Sequence, residues 1–129
     1  MSECGLRVSE VAGLTKDDLG EGYVILRNTK NHTTVKQMIS KDTQKVLQYL
    51  EPFGSTQAIQ KYFSRLTKKL GIAEVHCHSF RRWYINKLVR SGIGITVVKV
   101  AARHKAISST MRYVNTEESQ VKEAVANVF

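Results

Sequence analysis

Apolar residues recur at intervals of three and four along most of this chain, the spacing that collects them on one face of an α-helix. The first helix predicted in this way is short and carries Val8, Val11 and Leu14. Two more helices are predicted next, each beginning after a serine that can cap its first turn, at Ser40 and Ser55. The pattern therefore predicts a protein that is mainly helical.

The second half of the chain continues this pattern. The segment SFRRWYINKLVRSG has an apolar stripe that is expected to face the core, formed by Phe80, Trp83, Tyr84 and Leu88. A shorter helix is predicted over residues 95–102, followed by a turn that Ser108 or Ser109 can cap. A last, amphipathic helix is predicted over residues 116–129.

One part of the chain has the composition of β-strands instead. The segments GYVILRN and HTTVKQMI are rich in β-branched and aromatic residues, and the polar residues 28–31 between them supply a turn. Lys30 therefore lies at the bend of a hairpin, where a lysine is ordinarily solvated. The expected fold class is mainly α with a small antiparallel β-sheet (α+β), in a single domain over residues 1–129.

Composition narrows the choice of partner. The 129 residues include 20 Lys and Arg against 11 Asp and Glu, which gives a formal net charge of +9. Such an excess of cations favours a polyanion, because phosphates that are bound release condensed counterions. The sequence has no apolar run near about 18 residues, no signal peptide and no lipidation motif, so a membrane partner is not expected. Nucleic acid in the cytoplasm is the first expectation.

Cysteine and histidine spacing does not predict a metal centre. Cys4 and Cys77 are expected to be reduced thiols. The run His76-Cys77-His78 is the one local candidate for a metal site, but adjacent side chains point in different directions and rarely share an ion. A structural or hydrogen-bonding role is favoured for His76, and no metal or cofactor is expected.

Positive charge is concentrated over residues 60–113, where Glu74 is the only acid. Tyr113 lies at the end of this stretch, shortly after His104. A tyrosine hydroxyl has a pKa of about 10, so it is a poor nucleophile unless cations stabilise its anion and the charge that it attacks. This neighbourhood supplies the cations and suits a phosphodiester.

Two groups of side chains in this stretch can contact phosphate. His78 and Arg81 are three residues apart, so they can present an imidazole and a guanidinium to the same oxygens. The helix after Ser55 has a row of cations on one side, which is either a solvated face or one that follows a phosphate backbone. The net charge favours the second reading of this row, which consists of Lys61, Arg65, Lys68 and Lys69.

Three short blocks occur in a fixed order. The first is GLRVSE, which begins at Gly5 and is followed by Leu14 and Asp17. The second is His78-Ser79-Phe80-Arg81, with a glycine at Gly92. The third consists of His104, Thr110 and Tyr113. Together they resemble the boxes of the tyrosine recombinases, the phage integrase family, and the resemblance implies the fold of that family's catalytic domain.

The resemblance also implies an activity, namely site-specific DNA recombination or integration. Strands of duplex DNA would be cleaved and rejoined through a covalent 3′-phosphotyrosyl intermediate, without metal or ATP. Tyr113 would attack phosphorus, while Arg7 and Arg81 would clamp the scissile phosphate, a bidentate task for which guanidinium is well shaped. His78 and His104 would hydrogen-bond the phosphate oxygens, and His78 could also accept the tyrosine proton.

Other residues receive supporting roles from the same resemblance. The general acid that protonates the leaving 5′ oxygen would be Lys30, with Lys36 on the same hairpin as the alternative. Glu10 would orient its neighbours from behind. Contacts to DNA outside the reacting phosphate are expected from eight cations: Lys36, Lys61, Arg65, Lys68, Lys69, Arg82, Arg103 and Lys105.

Two positions depart from the family's pattern. Arg103 precedes His104 where the family usually has glycine, so the turn must differ or must accommodate Arg103, as a further phosphate contact. Arg82 stands where many members have a second histidine.

Elements N-terminal to this chain, including the family's DNA-binding domain, are expected to be absent, so the activity of the isolated chain is an open question. The helix over residues 116–129 is expected to dock on a neighbouring subunit. Two alternatives remain open: a non-catalytic DNA-binding remnant of an integrase and, more weakly, a metal-dependent single-strand nickase that uses His76-Cys77-His78 and Tyr84. The sequence does not identify the DNA target, the host element or the direction of recombination.

Overall fold

The computed structural model describes residues 1–27, 33–49, 54–72, 74–114 and 118–128. Within these ranges the chain forms seven α-helices: α1 (Val8–Ala12), α2 (Lys41–Leu47), α3 (Thr56–Lys69), α4 (Cys77–Arg90), α5 (Ile95–Ala101), α6 (Ser108–Met111) and α7 (Glu118–Val128). It also forms three strands: β1 (Leu19–Gly20), β2 (Tyr23–Leu26) and β3 (Val35–Met38). The predicted fold class, mainly α with a small antiparallel sheet, is confirmed.

The sheet is a small antiparallel meander in the order β1-β2-β3. Tyr23 pairs with Met38 and Leu26 with Val35, so the predicted hairpin between β2 and β3 is confirmed. The two-residue strand β1 was not predicted, because so short a segment has no detectable alternation. Lys30, which the sequence places at the bend of the hairpin, lies outside the described residues, so that prediction is not tested.

The sheet and α1 share one core. Its buried residues are Cys4, Leu6, Val11, Leu14, Val24 and Leu26. Leu14 belongs to this core although α1 ends at Ala12, so the predicted first helix is too long. The side chains of β2 alternate, which places Val24 and Leu26 on the buried face.

A second core lies between α4 and α5. Ile85, Val98 and Ala102 are fully buried in it, with Leu88 and Tyr113 packed against them. The predicted stripe on α4 is wrong at Trp83, which is 48% exposed and lies under the Lys87 ammonium, 4.8 Å from the ring centroid. The buried positions of α4 are instead Cys77, Arg81 and Ile85.

Predicted helix caps have mixed outcomes. The hydroxyls of Ser40 and Ser55 accept hydrogen bonds from the N–H groups of Thr43 and Ala58, at 3.1 and 3.2 Å, so both caps are confirmed. The predicted cap at Ser108 or Ser109 is wrong. Helix α6 begins at Ser108 itself, which leaves Ile107 at the capping position without a side-chain hydrogen bond. None of the described helices is long and apolar enough to span a bilayer.

Gly5 brings the N-terminal turn directly against α4. Its φ of +61° is in the left-handed region, and its N–H donates to the carbonyl of Met1 at 2.9 Å. A Cβ atom at this position would lie 2.6 Å from Cδ1 of Tyr84. Only glycine combines this backbone conformation with so close an approach.

We expect Gly5→Ala to lower the free energy of unfolding by about 3 kcal/mol, because left-handed backbone strain adds to the clash with Tyr84. Gly71→Ala is the matched control, since Gly71 has a φ of +66° but no atom within 4 Å of the added Cβ. The control should lose only about 1 kcal/mol. Urea unfolding followed by circular dichroism measures both, and equal losses would contradict the close contact.

Candidate functional site

A buried guanidinium lies at the centre of the candidate site. Arg81, on α4, is only 3% exposed, and its Nη1 and Nη2 groups donate to the backbone carbonyls of Gly5 and Ala102. Burial and the nearby charges of Arg7 and Arg103 lower the pKa of Arg81 to about 10, although Glu10 and Tyr113 act in the opposite direction. Arg81 is therefore still a cation at neutral pH, and it joins the N-terminal turn to the end of α5.

Glu10, on α1, is the carboxylate of this site. One of its oxygens, Oε1, accepts hydrogen bonds from Nη1 of Arg7 and Nη1 of Arg103, both at 3.0 Å. The other, Oε2, accepts from the backbone N–H of Arg7 and from Nη2 of Arg103, both at 2.7 Å. Burial acts to raise the pKa of Glu10, but these hydrogen bonds and the charge of Arg103 hold it below its usual value. Glu10 is thus an anion that links two arginines.

His104 follows α5 and faces the tyrosine. Its Nδ1 atom lies 2.9 Å from the hydroxyl oxygen of Thr110, and its ring stacks on that of Tyr113 with a centroid separation of 6.4 Å. Burial lowers the pKa of His104, and the positive charges of Arg81 and Arg7 lower it further. The imidazole is therefore held neutral, and both guanidinium groups are within electrostatic reach of it.

Tyr113 is held by local hydrogen bonds and by packing. Its backbone N–H donates to the carbonyl of Thr110 at 3.0 Å, in the turn that ends α6. Its ring packs against the core of Ile85, Val98 and Ala102. The ring is partly buried, and Tyr113 lies within electrostatic reach of Arg81, which Arg7 and Arg103 also approach. The arrangement can therefore present a phenol oxygen to an anion bound beside Arg81.

The arginines differ in exposure. The side chain of Arg7 is 46% exposed, whereas that of Arg103 is 13% exposed and Arg81 is buried. Arg7 is thus the one most open to an anion arriving from solvent. Arg103 directs its two terminal nitrogens to Glu10, and a contact between Arg103 and phosphate stays a prediction.

His78 lies apart from the contacts described above. It is an exposed residue in the first turn of α4 and lines a cavity of about 350 Å³ between α1, α3 and the start of α4. Val8, Phe63 and Cys77 contribute to the same cavity. The predicted role of His78 at the phosphate stays a prediction.

The remaining predicted cations occupy exposed positions. Lys36 lies on β3, with its ammonium 4.5 Å from the ring centroid of Tyr23. The predicted row on α3 is exposed along its length, at Lys61, Arg65, Lys68 and Lys69. Arg82 and Lys105 are also exposed, each next to a site residue in the sequence. Lys30 falls outside the described residues, so the choice between Lys30 and Lys36 stays open.

Sequence reasoning missed several partners that hold the site together. Thr110 is fully buried and bonds His104, yet the motif includes it without giving it a contact. Its spacing from His104 was the available signal. The carbonyls of Gly5 and Ala102, which bind Arg81, carry no sequence signal, because every residue has a carbonyl. Among the described residues, no three His, Cys, Asp or Glu side chains form a potential metal site.

Comparison with known proteins assigns this chain to a family. The sequence model described as the phage integrase family matches residues 52–120, more than half of the chain. The chain belongs to the phage integrase family. The matched range includes Arg81, His104 and Tyr113, while Arg7 and Glu10 precede it.

The family assignment agrees with individual relatives. A probable integrase/recombinase protein of Methanocaldococcus jannaschii is 29% identical over 143 residues, which cover 90% of this chain and 43% of that protein. A probable integrase/recombinase of Acholeplasma phage L2 is 22% identical over 136 residues, covering 92% of this chain and 47% of that protein. The chain spans about half the length of the curated relatives that it matches.

Solved structures share its fold. The Tn1549 transposon integrase, in complex with circular intermediate DNA, has a TM-score of 0.81 at 18% identity, covering 98% of this chain and 57% of that one. The catalytic domain of bacteriophage HP1 integrase has a TM-score of 0.76 at 23% identity, covering 96% of this chain and 75% of that one. The fold is that of a tyrosine recombinase catalytic domain, as predicted.

The lowered pKa of His104 is expected to make folding depend on pH. The unfolded chain takes up a proton at this histidine near its ordinary pKa of 6.5, before the folded chain does. The contribution of His104 to the free energy of unfolding should therefore be fully present above pH 6.5. It should decrease as the pH falls from there toward the pKa of His104 in the folded chain. The free energy of unfolding, measured in urea between about pH 5 and 8, should lose this part of its slope in His104→Gln. The exposed His76→Gln is the control, and a slope that persists in His104→Gln would contradict the assignment.

Proposed function

We propose that this chain is the catalytic domain of a site-specific recombinase that cleaves and rejoins strands of duplex DNA. The observation that supports this most strongly is the electrostatic cluster that Arg7, Arg81 and His104 form from separate segments of the chain, with the ring of Tyr113 stacked on that of His104. Each of these residues has an ordinary structural explanation when taken alone. Their grouping in one cluster with Tyr113 supports a single catalytic purpose.

The reaction is a transesterification at phosphorus. The Oη atom of Tyr113 attacks the scissile phosphate and forms a phosphotyrosyl bond to the 3′ end, while the bond from phosphorus to the 5′ oxygen breaks. The phenol proton passes to His78, and the 5′ oxygen takes a proton from Lys30 or, alternatively, Lys36. The new bond keeps the energy of the old one, so a 5′ hydroxyl can reverse the step without ATP.

Positive charge around the phosphate supplies most of the catalysis in this proposal. Attack builds negative charge on the non-bridging oxygens, and preorganised donors in a partly buried site are the strongest stabilisers of such charge. Arg7 contacts the phosphate directly. Arg81 uses two of its five N–H donors on carbonyls, so it has donors left for a phosphate oxygen. Its positive charge also stabilises the phosphate. The neutral imidazole of His104 donates to a further oxygen.

Duplex DNA is the proposed partner. The exposed cations of α3 are spaced to follow a phosphate backbone, which agrees with the net charge of +9. The Tn1549 integrase of similar fold is itself bound to circular intermediate DNA. Binding to DNA would place the protein with the nucleoid.

A covalent adduct is the direct test of this chemistry. Incubation of the chain with a nicked suicide substrate that carries its recognition site should trap a protein–DNA adduct visible on a denaturing gel. Tyr113→Phe should abolish the adduct, because it removes only the attacking oxygen. Tyr62→Phe, at an exposed tyrosine of α3, is the matched control and should retain it. An adduct that survives Tyr113→Phe contradicts the proposal, and salt-sensitive binding without any adduct supports the non-catalytic alternative.

Self-association through α7 is a second part of the proposal. Val121, Val125 and Val128 line one side of this helix and are exposed. An apolar side on a helix ordinarily packs against another surface. Since α7 follows Tyr113 closely in the chain, docking it on a neighbouring subunit would couple assembly to the position of the nucleophile.

We expect Val121→Glu combined with Val125→Glu to abolish assembly on DNA while single-site cleavage continues. The reason is that two charges on the apolar side of α7 would have to be buried in any contact with a neighbour. Sedimentation of the chain on a duplex with two sites measures this assembly. Glu123→Gln, on the other side of α7, is the control. Unchanged assembly in the double variant, or a scattering profile that fits α7 packed on its own chain, contradicts the exchange.

A further inference from the structure

Helix α5 ends in a turn that ordinarily requires glycine. The N–H of Arg103 donates to the carbonyl of Val100 at 2.9 Å, and the N–H of His104 donates to that of Lys99 at 3.0 Å. This pair of hydrogen bonds defines a Schellman motif, in which the residue after the C-cap adopts a left-handed conformation. Arg103 occupies that position, with a φ of +54°.

Two other helices of the same chain end with glycine at the equivalent position. Gly71 follows α3 with a φ of +66°, and Gly92 follows α4 with a φ of +72°. Their N–H groups donate to the carbonyls of Lys68 and Val89, as the N–H of Arg103 does to Val100. Glycine adopts this conformation without the steric cost that a Cβ atom brings. An arginine at the end of α5 is therefore unfavourable for the backbone alone.

The side chain of Arg103 makes contacts that can offset this cost. Its two terminal nitrogens bind the two oxygens of Glu10 in a bidentate pair, at 3.0 and 2.7 Å, with both side chains largely buried. Its Nε–H is buried and has no acceptor among the described atoms, so Glu10 alone orients the fork. A planar guanidinium fits this geometry, whereas a lysine ammonium does not.

The same carboxylate holds Arg7. Each oxygen of Glu10 accepts one hydrogen bond from Arg103 and one from Arg7, through the Arg7 Nη1 group on one side and its backbone N–H on the other. A carboxylate without Arg103 would be held only by Arg7, through its backbone N–H and a side chain that is 46% exposed. Bound to Arg103 as well, it has one orientation, and this orientation fixes where the exposed guanidinium of Arg7 points.

We propose that Arg103 is a positioning residue, which locks Glu10 and thereby holds Arg7 in the place where it meets the scissile phosphate. This role replaces a direct contact between Arg103 and DNA. It rests on the proposed function only in naming the anion that Arg7 binds. The left-handed conformation of Arg103 is therefore an unfavourable backbone state that accompanies a second arginine contact to Glu10, made from the end of α5.

The test combines a titration with a cleavage rate. In Arg103→Gly, which suits the turn but lacks the fork, the ¹³C signal of the Glu10 carboxyl should titrate at higher pH than in the parent chain. The single-turnover rate constant of adduct formation at saturating DNA should fall about 10- to 100-fold in the folded variant, as expected for a misplaced catalytic group. Arg103→Lys should restore part of the Glu10 titration but not the rate, because charge returns without the fork.

Two comparisons separate positioning from general stability. Glu74→Gly is the matched control, because Glu74 is exposed and has a φ of +68°, so the change relieves a similar backbone strain outside this cluster. The single-turnover rate constant of Glu74→Gly at saturating DNA should stay within about twofold of that of the parent chain, well short of the roughly tenfold minimum loss expected for Arg103→Gly. In an Arg7→Ala background, Arg103→Gly should add little further loss, because both changes act through one contact.

The contrary results are specific. An unchanged Glu10 titration in Arg103→Gly, a parental rate in that variant, full recovery of the rate in Arg103→Lys, or an independent loss in the Arg7→Ala background would each overturn the positioning role. If the parent chain forms no adduct, the proposed function fails separately. The inference is then decided by duplex affinity: Arg7→Ala should weaken binding in the parent but not in Arg103→Gly, and equal weakening in both would overturn it.

Discussion

The buried charge of Arg81 is the constraint on which the site depends. A guanidinium in a protein interior is very costly unless its donors are paired. Arg81 meets this requirement by donating to the carbonyls of Gly5 and Ala102. The first carbonyl lies in the N-terminal turn and the second at the end of α5, so Arg81 joins two distant segments of the chain. Arg7 follows one carbonyl by two residues, and Arg103 and His104 follow the other. The contacts that satisfy Arg81 therefore also determine where the other site residues emerge.

The site has more positive charge than it neutralises internally. Arg7 and Arg103 lie close enough to Arg81 to lower its pKa. The carboxylate of Glu10 bonds Arg7 and Arg103. The same field disfavours a proton on His104. An anion bound beside Arg7 would relieve this repulsion, because its negative charge offsets the mutual repulsion of the arginines.

Local patterns predicted most of the fold, but few of the contacts within the candidate site. The hairpin, the serine caps of α2 and α3 and the order of the helices follow from side chains within a few residues of each other. The buried face of α4 did not follow, because Trp83 has more apolar surface than Arg81 and yet stays exposed. Burial of Arg81 depends on two carbonyls at distant positions, and a carbonyl has no signature in a sequence. Motif spacing predicted which residues form the candidate site, but not the contacts that the structure shows among them.

At Arg103 the residue departs from the motif, but the backbone conformation does not. In the sequence it interrupts a motif that usually has glycine, and the backbone does adopt the conformation that glycine prefers. The geometry of the turn is therefore retained while its usual residue is not. Glycine follows α3 and α4 in the left-handed conformation, whereas arginine follows α5. Among these three helix ends, only that of α5 therefore carries backbone strain. The bidentate pair with Glu10 is the contact at that helix end which glycine could not make, and it lies in the candidate site.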